Sequence, residues 1–158
     1  MTLLLHVAQV ITGLMAGLYI GWAISVLPGL WLLQDRPLLS AFQLLNRAIL
    51  NLPFKLLFVA AALLPPVVFI MQWIDSGALP NVSFLLAAIL AVFGHALTTV
   101  AGNIPINQKL DKLDITQADS ATITAMRQLL QYRWRYLHWI RTAATTLAFV
   151  LLLTGQRT

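Results

Sequence analysis

The stretch Gly102-Asn103-Ile104-Pro105-Ile106-Asn107-Gln108-Lys109-Leu110-Asp111 is the densest run of polar and turn-forming residues in a very apolar chain. It follows a long apolar segment, and its proline restricts the preceding residue to extended geometry. The sequence therefore predicts that a helix ends near Asn103. Because two amides, a lysine and an aspartate come together here, we expect this stretch to form one wall of any chemical site.

The composition around this stretch is that of a membrane protein. Of the 158 residues, 59% are hydrophobic and only 9% are charged, whereas soluble domains carry about 25% charged residues. The mean hydropathy is +0.82. A water-soluble core of this length cannot bury so much apolar surface. We therefore expect lipid to be the solvent and residues 1–158 to form one transmembrane domain.

Four segments are long enough to span a bilayer, which takes about 20 apolar residues in a helix. They cover residues 3–33, 54–74, 82–101 and 134–153. A further helix over 120–133, capped by Asp119 or Ser120, is predicted to be continuous with the fourth span. The predicted fold class is all-α, an integral membrane four-helix bundle with an additional amphipathic helix between spans one and two.

That amphipathic helix is predicted over residues 36–51. Arg36, Ser40, Gln43, Arg47 and Asn51 recur at three- or four-residue spacing, and apolar residues fill the other side. This pattern is typical of a helix that lies along a membrane surface or covers a bundle. We expect it either to connect two spans or to shield a site from water.

The basic residues are distributed unequally between the two sides of the predicted bundle. The net charge is +5, and the first and second basic connections carry Arg36, Arg47, Lys55, Lys109, Lys112, Arg127, Arg133 and Arg135. Only Arg157 lies on the opposite side. The positive-inside rule places both connections in the cytoplasm and both termini outside. We expect a bacterial inner (plasma) membrane protein with membrane lipids as partners and no nucleic acid.

The first span carries Gly13, Gly17 and Gly21 at strict four-residue spacing. Such a stripe lets another helix backbone approach closely. It predicts either packing within the bundle or a homo-oligomer that forms through these glycines. Pro28 is predicted to kink or end this helix, because it removes a backbone donor.

Arg141 is the most informative single residue. It lies seven residues after Trp134, so about 10 Å further along the helix, and a permanent cation is costly in hydrocarbon. We expect it to face the bundle, with His138 and Trp134 on the same stripe and Asn103, Asn107 and Asp111 opposite them. The alternative is that its side chain snorkels to the interface.

Metal chemistry has little support in the sequence. Cysteine and glutamate are absent, and the five aspartates lie outside the spans, which argues against a di-iron carboxylate centre. His95 and His138 lie on different spans and leave a haem between them as an alternative. His6 is too far away, near the opposite surface.

The chain resembles a known family on several of these motifs. Asn103-Ile104-Pro105-Ile106-Asn107, followed by Trp134 and then by Arg141-Thr142, is similar to the pattern of the anthrone oxygenase-like family of small four-helix membrane proteins. Pro28 at the end of the first span and Asn46 before the second also match that pattern. The resemblance implies oxidation of an anthrone, or of another small aromatic or enolisable substrate, by molecular oxygen. It implies no metal and no flavin cofactor.

Together with this resemblance, the residues predict a site with two groups of side chains. The predicted catalytic residues are His138, Arg141 and Asp111, and the predicted substrate-binding residues are Asn46, Asn103, Asn107 and Trp134. His138, or else Asp111, would remove a C–H proton, and Arg141 with the two amides would stabilise the enolate. The family commonly has Asn where this chain has His138, so this residue is either a base or a structural replacement. The competing hypothesis is a non-enzymatic protein that binds lipid or scaffolds partners.

Overall fold

The computed structural model describes residues 2–155, and helix is the only regular secondary structure within that range. The helices are α1 (Thr2–Trp31), α2 (Asp35–Ile49), α3 (Leu52–Ser76), α4 (Val82–Asp111) and α5 (Ser120–Thr154). All except α2 are long and apolar enough to span a membrane. The all-α membrane-bundle prediction is confirmed. Arg157, the basic residue that the sequence places on the side opposite the basic connections, lies outside the described residues.

The four long helices form a ring in which each contacts its neighbours. Helix α5 packs against α1 and α4, and α3 packs against the same two helices. Buried apolar side chains fill the interior at the end of the bundle where α1 begins and α5 ends, namely Leu5, Ala8, Val68, Phe84, Ala87, Ala148 and Leu152. At the other end, α2 packs across the ends of α4 and α5.

A separate hydrophobic core holds α2 in place. Its fully buried members include Leu38, Leu39 and Phe42 from α2, with Leu110 from α4 and Leu130 from α5. The apolar stripe that the sequence predicts for α2 therefore packs against protein. The helix covers the end of the bundle, which is the second of the two predicted arrangements.

The polar stripe of α2 also contacts protein, because it binds the connection between α4 and α5. Arg36 donates to the carbonyl oxygens of Ile115 and Ala118, the latter at 2.6 Å. Gln43 donates to the carbonyl oxygen of Leu110 at 2.7 Å. These donors bind main-chain oxygens at the end of α4 and in the connection, and so they order the connection. Where α5 then begins, Asp119 accepts from the Thr122 amide, and this hydrogen bond holds the pKa of the Asp119 carboxyl below its usual value.

Two helices continue through prolines, where the sequence predicts a kink or an end at Pro28 and an end just before Pro105. Pro28 and Pro105 both lie inside helices that run on to Trp31 and Asp111. The prediction that the third span ends near Asn103 is therefore wrong, and so is the expectation that Ile104 is extended, since it is helical (φ −59°, ψ −45°).

The physical reason is a stretch of wider helix before each proline. Trp22–Val26 and Leu90–Asn103 are π-helical, and the next amide in each case bonds to a carbonyl five residues back. Each proline is then the second residue of a new α-helical stretch. A missing N–H is tolerated in the first turn of an α-helix. A third π-helical stretch, Leu130–Trp134, lies in α5.

One close contact between α4 and α5 requires a glycine. A Cβ built on Gly94 would lie 2.3 Å from the Cβ of Ala144 on α5. Because that Cβ is fixed to the backbone of a buried helix, it cannot move aside alone. Gly17 on α1 is the opposite case, since nothing lies within 4 Å of a Cβ there.

We expect Gly94→Ala to lower the free energy of unfolding by about 1–3 kcal/mol, the usual cost of overpacking. Gly17→Ala should stabilise the helix by about 0.5–1 kcal/mol. Thermal unfolding of both variants in one detergent, followed by circular dichroism, compares them. Equal midpoints for Gly94→Ala and the parent chain would contradict the tight packing of α4 on α5.

Candidate functional site

A cavity of about 340 Å³ lies inside the bundle beneath α2. This volume is within the range of small-molecule pockets. Most of the wall's surface is apolar, although half of the lining residues carry a polar or charged group. The lining residues are Leu18, Tyr19, Trp22, Asn46, Arg47, Ile49, Leu50, Phe54, Lys55, Phe58, Val59, Thr99, Ile104, Asn107, Gln108, Asp111, Trp134 and Arg141.

Arg141 provides a buried positive charge in this wall. The residue is 8% exposed, and its guanidinium carbon lies 4.4 Å from the ring centroid of Tyr19 and 5.3 Å from that of Trp134. Such contacts with aromatic faces stabilise a cation. The side chain faces the interior of the bundle, so the snorkelling alternative does not describe it.

The charge of Arg141 has no carboxylate partner within residues 2–155. The ion pairs in that range join Arg47 to Asp111 and Arg127 to Asp35. Arg141 instead donates from Nε and Nη2 to Nδ1 of His138, at 3.1 and 3.0 Å. A buried cation that is balanced only by neutral groups is ready to stabilise an anion in the adjacent cavity.

His138 uses both ring nitrogens in these contacts. Nε2 lies 3.2 Å from the main-chain oxygen of Tyr19 and must carry the proton, because a carbonyl only accepts. Nδ1 accepts from Arg141. The imidazole is therefore neutral, and its ring stacks on Trp134 with a centroid distance of 5.1 Å and an angle of 13°. His138 is fully buried behind Arg141 and is not part of the cavity wall.

The Asn-Pro-Asn motif meets Trp134 as the sequence predicts. The indole Nε1 of Trp134 donates to Oδ1 of Asn107 at 2.7 Å. The side-chain amide of Asn103 donates to the main-chain oxygen of Trp134 at 3.1 Å. Asn107 and Trp134 line the cavity, whereas Asn103 is fully buried behind the wall. The two asparagines thus fix the position of the tryptophan against α4.

The remaining predicted residues lie towards α2. Asn46 is buried in the wall, and its side-chain nitrogen has no hydrogen-bond partner in the part of the chain that the structure describes. Asp111 is half exposed and pairs with Arg47 at 2.6 Å. The two charges lie at the rim of the cavity, on α4 and α2. Five of the seven predicted residues therefore line one cavity, and Asn103 and His138 support it from behind.

Two side chains that the sequence did not assign to the site are central to it. The hydroxyl of Tyr19 donates to Nδ1 of His95 at 3.2 Å, and Nε2 of His95 donates to the main-chain oxygen of Phe58 at 3.2 Å. One signal was available in the sequence. Gln9, Thr12 and Tyr19 follow one another at three- and seven-residue spacing in an apolar helix, which places them on one inward face.

This arrangement does not fit the haem alternative. The ring of Tyr19 lies between the two imidazoles, with centroid distances of 5.6 Å to His95 and 5.8 Å to His138. All four imidazole nitrogens are already in hydrogen bonds. Within the described range, no group of three or more His, Cys, Asp or Glu side chains is placed to hold a metal ion.

Comparison with known proteins identifies the family of this chain. The model of a family described as anthrone oxygenase matches residues 42–151. No curated protein and no solved structure matches the chain. The matched range begins in α2 and ends in α5, so it includes every predicted site residue but excludes Tyr19 and Trp22. Since it covers well over half of the sequence, this chain belongs to the anthrone oxygenase family.

Proposed function

We propose that this protein is a membrane-embedded oxygenase that uses molecular oxygen, without metal or flavin, to oxidise an aromatic substrate at a carbon next to an enolisable group. The observation that carries this proposal is Arg141: an uncompensated guanidinium in the wall of an aromatic cavity. An enolate is an anion delocalised over a flat, apolar framework. The cavity supplies surfaces for the framework and a positive charge for the oxygen.

The reaction balances with oxygen as the sole oxidant. A methylene group loses a proton to give an enolate, whose carbon attacks molecular oxygen and becomes a peroxide. The peroxide then loses water, and the carbon becomes a ketone. One methylene and one oxygen molecule thus yield one carbonyl and one water. Arg141 stabilises the enolate oxygen, and Trp134 is the flat surface on which the rings stack.

We assign His138 the task of holding Arg141 in position. The only free lone pair of its imidazole accepts a hydrogen bond from the guanidinium of Arg141. A guanidinium has donors and no acceptor, so it cannot release this lone pair by reversing the hydrogen bond. A base needs a free lone pair within reach of the substrate. Asp111 has its carboxylate bound to Arg47 at the rim, and we assign this pair to the mouth through which substrate enters.

The burial of Arg141 favours this function over the lipid-binding or scaffolding role. That role needs the guanidinium to point towards lipid phosphate at the surface. The residue instead lies among Tyr19, Trp134 and His138. A ligand-sized cavity also lies beside the arginine, and a purely scaffolding role does not need one.

We further propose that the cavity lies near the cytoplasmic surface of the bacterial inner membrane. The basic connections meet at the end of the bundle that α2 covers, and the positive-inside rule assigns that end to the cytoplasm. The termini would then lie outside, and basic side chains would contact anionic lipids. A homo-oligomer contact would use Gly17 and Gly21, because Gly13 is already packed against Phe149.

Purified protein in detergent or nanodiscs tests the proposed reaction. With anthrone and air, we expect oxygen uptake and anthraquinone formation in equal amounts, at a rate well above the spontaneous oxidation. Dialysis against a strong chelator should leave that rate unchanged. Oxidation no faster than in empty nanodiscs would overturn the proposal.

A further inference from the structure

The proposed reaction needs a base, and neither His138 nor Asp111 supplies one. The lone pair of His138 faces Arg141, and Asp111 is ion-paired at the rim. The cavity wall contains one further group that can exchange a proton and that lies deep in the bundle. It is Tyr19, which is 3% exposed and in contact with Arg141.

Tyr19 is the first member of a hydrogen-bonded chain. Its hydroxyl lies 3.2 Å from Nδ1 of His95, and Nε2 of His95 lies 3.2 Å from the main-chain oxygen of Phe58. Because a carbonyl only accepts, Nε2 carries the proton and the lone pair of His95 is on Nδ1. Tyr19 therefore donates its proton to His95. The contact with Phe58 fixes both the tautomer and the orientation of the ring.

Several contacts hold this chain in place, although its members come from three helices. His95 is fully buried on α4, and its ring packs against that of Phe58 from α3 with a centroid distance of 4.6 Å. Thr99 donates to the main-chain oxygen of His95 at 2.7 Å. An oriented imidazole behind a hydroxyl is the arrangement that activates hydroxyl groups in enzymes.

We infer that Tyr19, backed by His95, is the proton-abstracting pair of this site, an assignment that rests on the proposed function. Tyr19 is the catalytic residue: its oxygen takes the C–H proton of the substrate while its own proton moves to Nδ1 of His95. His95 is the positioning residue that acts through it. The products of the step are an enolate beside Arg141 and an imidazolium that remains bonded to Phe58.

The same pair completes the proton balance of the reaction. After the enolate carbon has bonded to oxygen, His95 returns its proton through Tyr19 to the peroxide. The pair then removes the second proton of the same carbon as the O–O bond breaks. The departing hydroxide takes up that proton and leaves as water. Tyr19 and His95 end in their starting states, and oxygen is the only oxidant.

Proton abstraction can be measured apart from oxidation by excluding oxygen. Anthrone deuterated at its methylene carbon, incubated anaerobically with the protein, should lose deuterium to water faster than in buffer, as followed by mass spectrometry. We expect Tyr19→Phe and His95→Gln to reduce this enzymatic exchange by about 10²-fold or more. Gln keeps a donor for Phe58 but has no basic lone pair. Exposed residues of the same types provide the controls, Tyr136→Phe and His6→Gln.

A second measurement distinguishes catalysis from a merely structural role. Anthraquinone, the product, should quench the tryptophan fluorescence of the protein, to which Trp22 and Trp134 in the cavity wall contribute, with the same dissociation constant in both variants and in the parent chain. Exchange at the parent rate in either variant would overturn the assignment while leaving the oxygenase proposal intact. Loss of exchange together with loss of quinone binding would also overturn it. A parent protein that neither exchanges nor oxidises anthrone would instead refute the proposed function itself.

Discussion

Replacement of Arg141 by methionine is expected to lower kcat about 10³-fold, because removal of one preorganised donor to a developing oxyanion already costs 10²–10³-fold. The charge of this guanidinium is balanced by no carboxylate in the described part of the chain. In its absence the enolate would form in an apolar cavity with no opposite charge. The anaerobic loss of deuterium from anthrone should fall together with oxygen uptake.

The fold should survive this change. Exchange of a buried charge for an apolar side chain of similar length is often neutral or stabilising, so the thermal midpoint in detergent should stay the same or rise. Arg135→Met is the matched control, because Arg135 is exposed on the same helix. Activity of Arg141→Met close to that of Arg135→Met would show that the buried guanidinium takes no part in catalysis.

Substitution of His138 is expected to separate a positioning role from that of a base. His138→Leu removes the acceptor that holds Nε and Nη2 of Arg141, and we expect kcat to fall about 10²-fold, as it does when a catalytic group is displaced. His138→Asn should recover activity to within about tenfold of the parent chain, since an asparagine oxygen reaches roughly the position of Nδ1 and one hydrogen bond contributes about 1 kcal/mol.

The expected results for His138→Leu and His138→Asn are different if His138 is the general base. If His138 were the general base, neither Leu nor Asn would accept a proton, and both variants would lose about 10²–10⁴-fold. Steady-state kinetics for both variants, with anthraquinone binding as the test of an intact cavity, decide between these roles. Equal losses in the two variants would contradict the positioning role.

Much of the architecture could be predicted from the sequence because it depends on local composition. Apolar segments of about 20 residues reveal the spans, and the spacing of Arg36, Gln43 and Arg47 reveals the amphipathic helix. The cost of a bare cation in hydrocarbon turns Arg141 towards the bundle interior. The same argument predicts that Trp134 and His138 also face the interior, since all three residues share one face of α5.

The side of α4 that faces the bundle interior could not be predicted from an α-helical periodicity. An α-helical period places Thr98 or Thr99, and Gly102, on the same face as His95. The structure buries Thr99 on that face, but at the next turn it buries Asn103 and leaves Gly102 only partly buried. The π-helical turns between Leu90 and Asn103 include additional residues, and so they rotate each later side chain relative to an α-helix. They also let the helix continue through Pro105.

By itself, the sequence of this protein determined the all-α membrane bundle, the amphipathic helix and the presence of a cation within the fourth span, because length, hydropathy and periodicity are properties of each segment alone. Only the tertiary structure decided that Tyr19 is hydrogen-bonded to His95, which is 76 positions away, and that Nδ1 of His138 accepts a hydrogen bond from Arg141. Hydrogen-bond partners on different helices depend on the packing and rotation of those helices, and no local pattern encodes either of them.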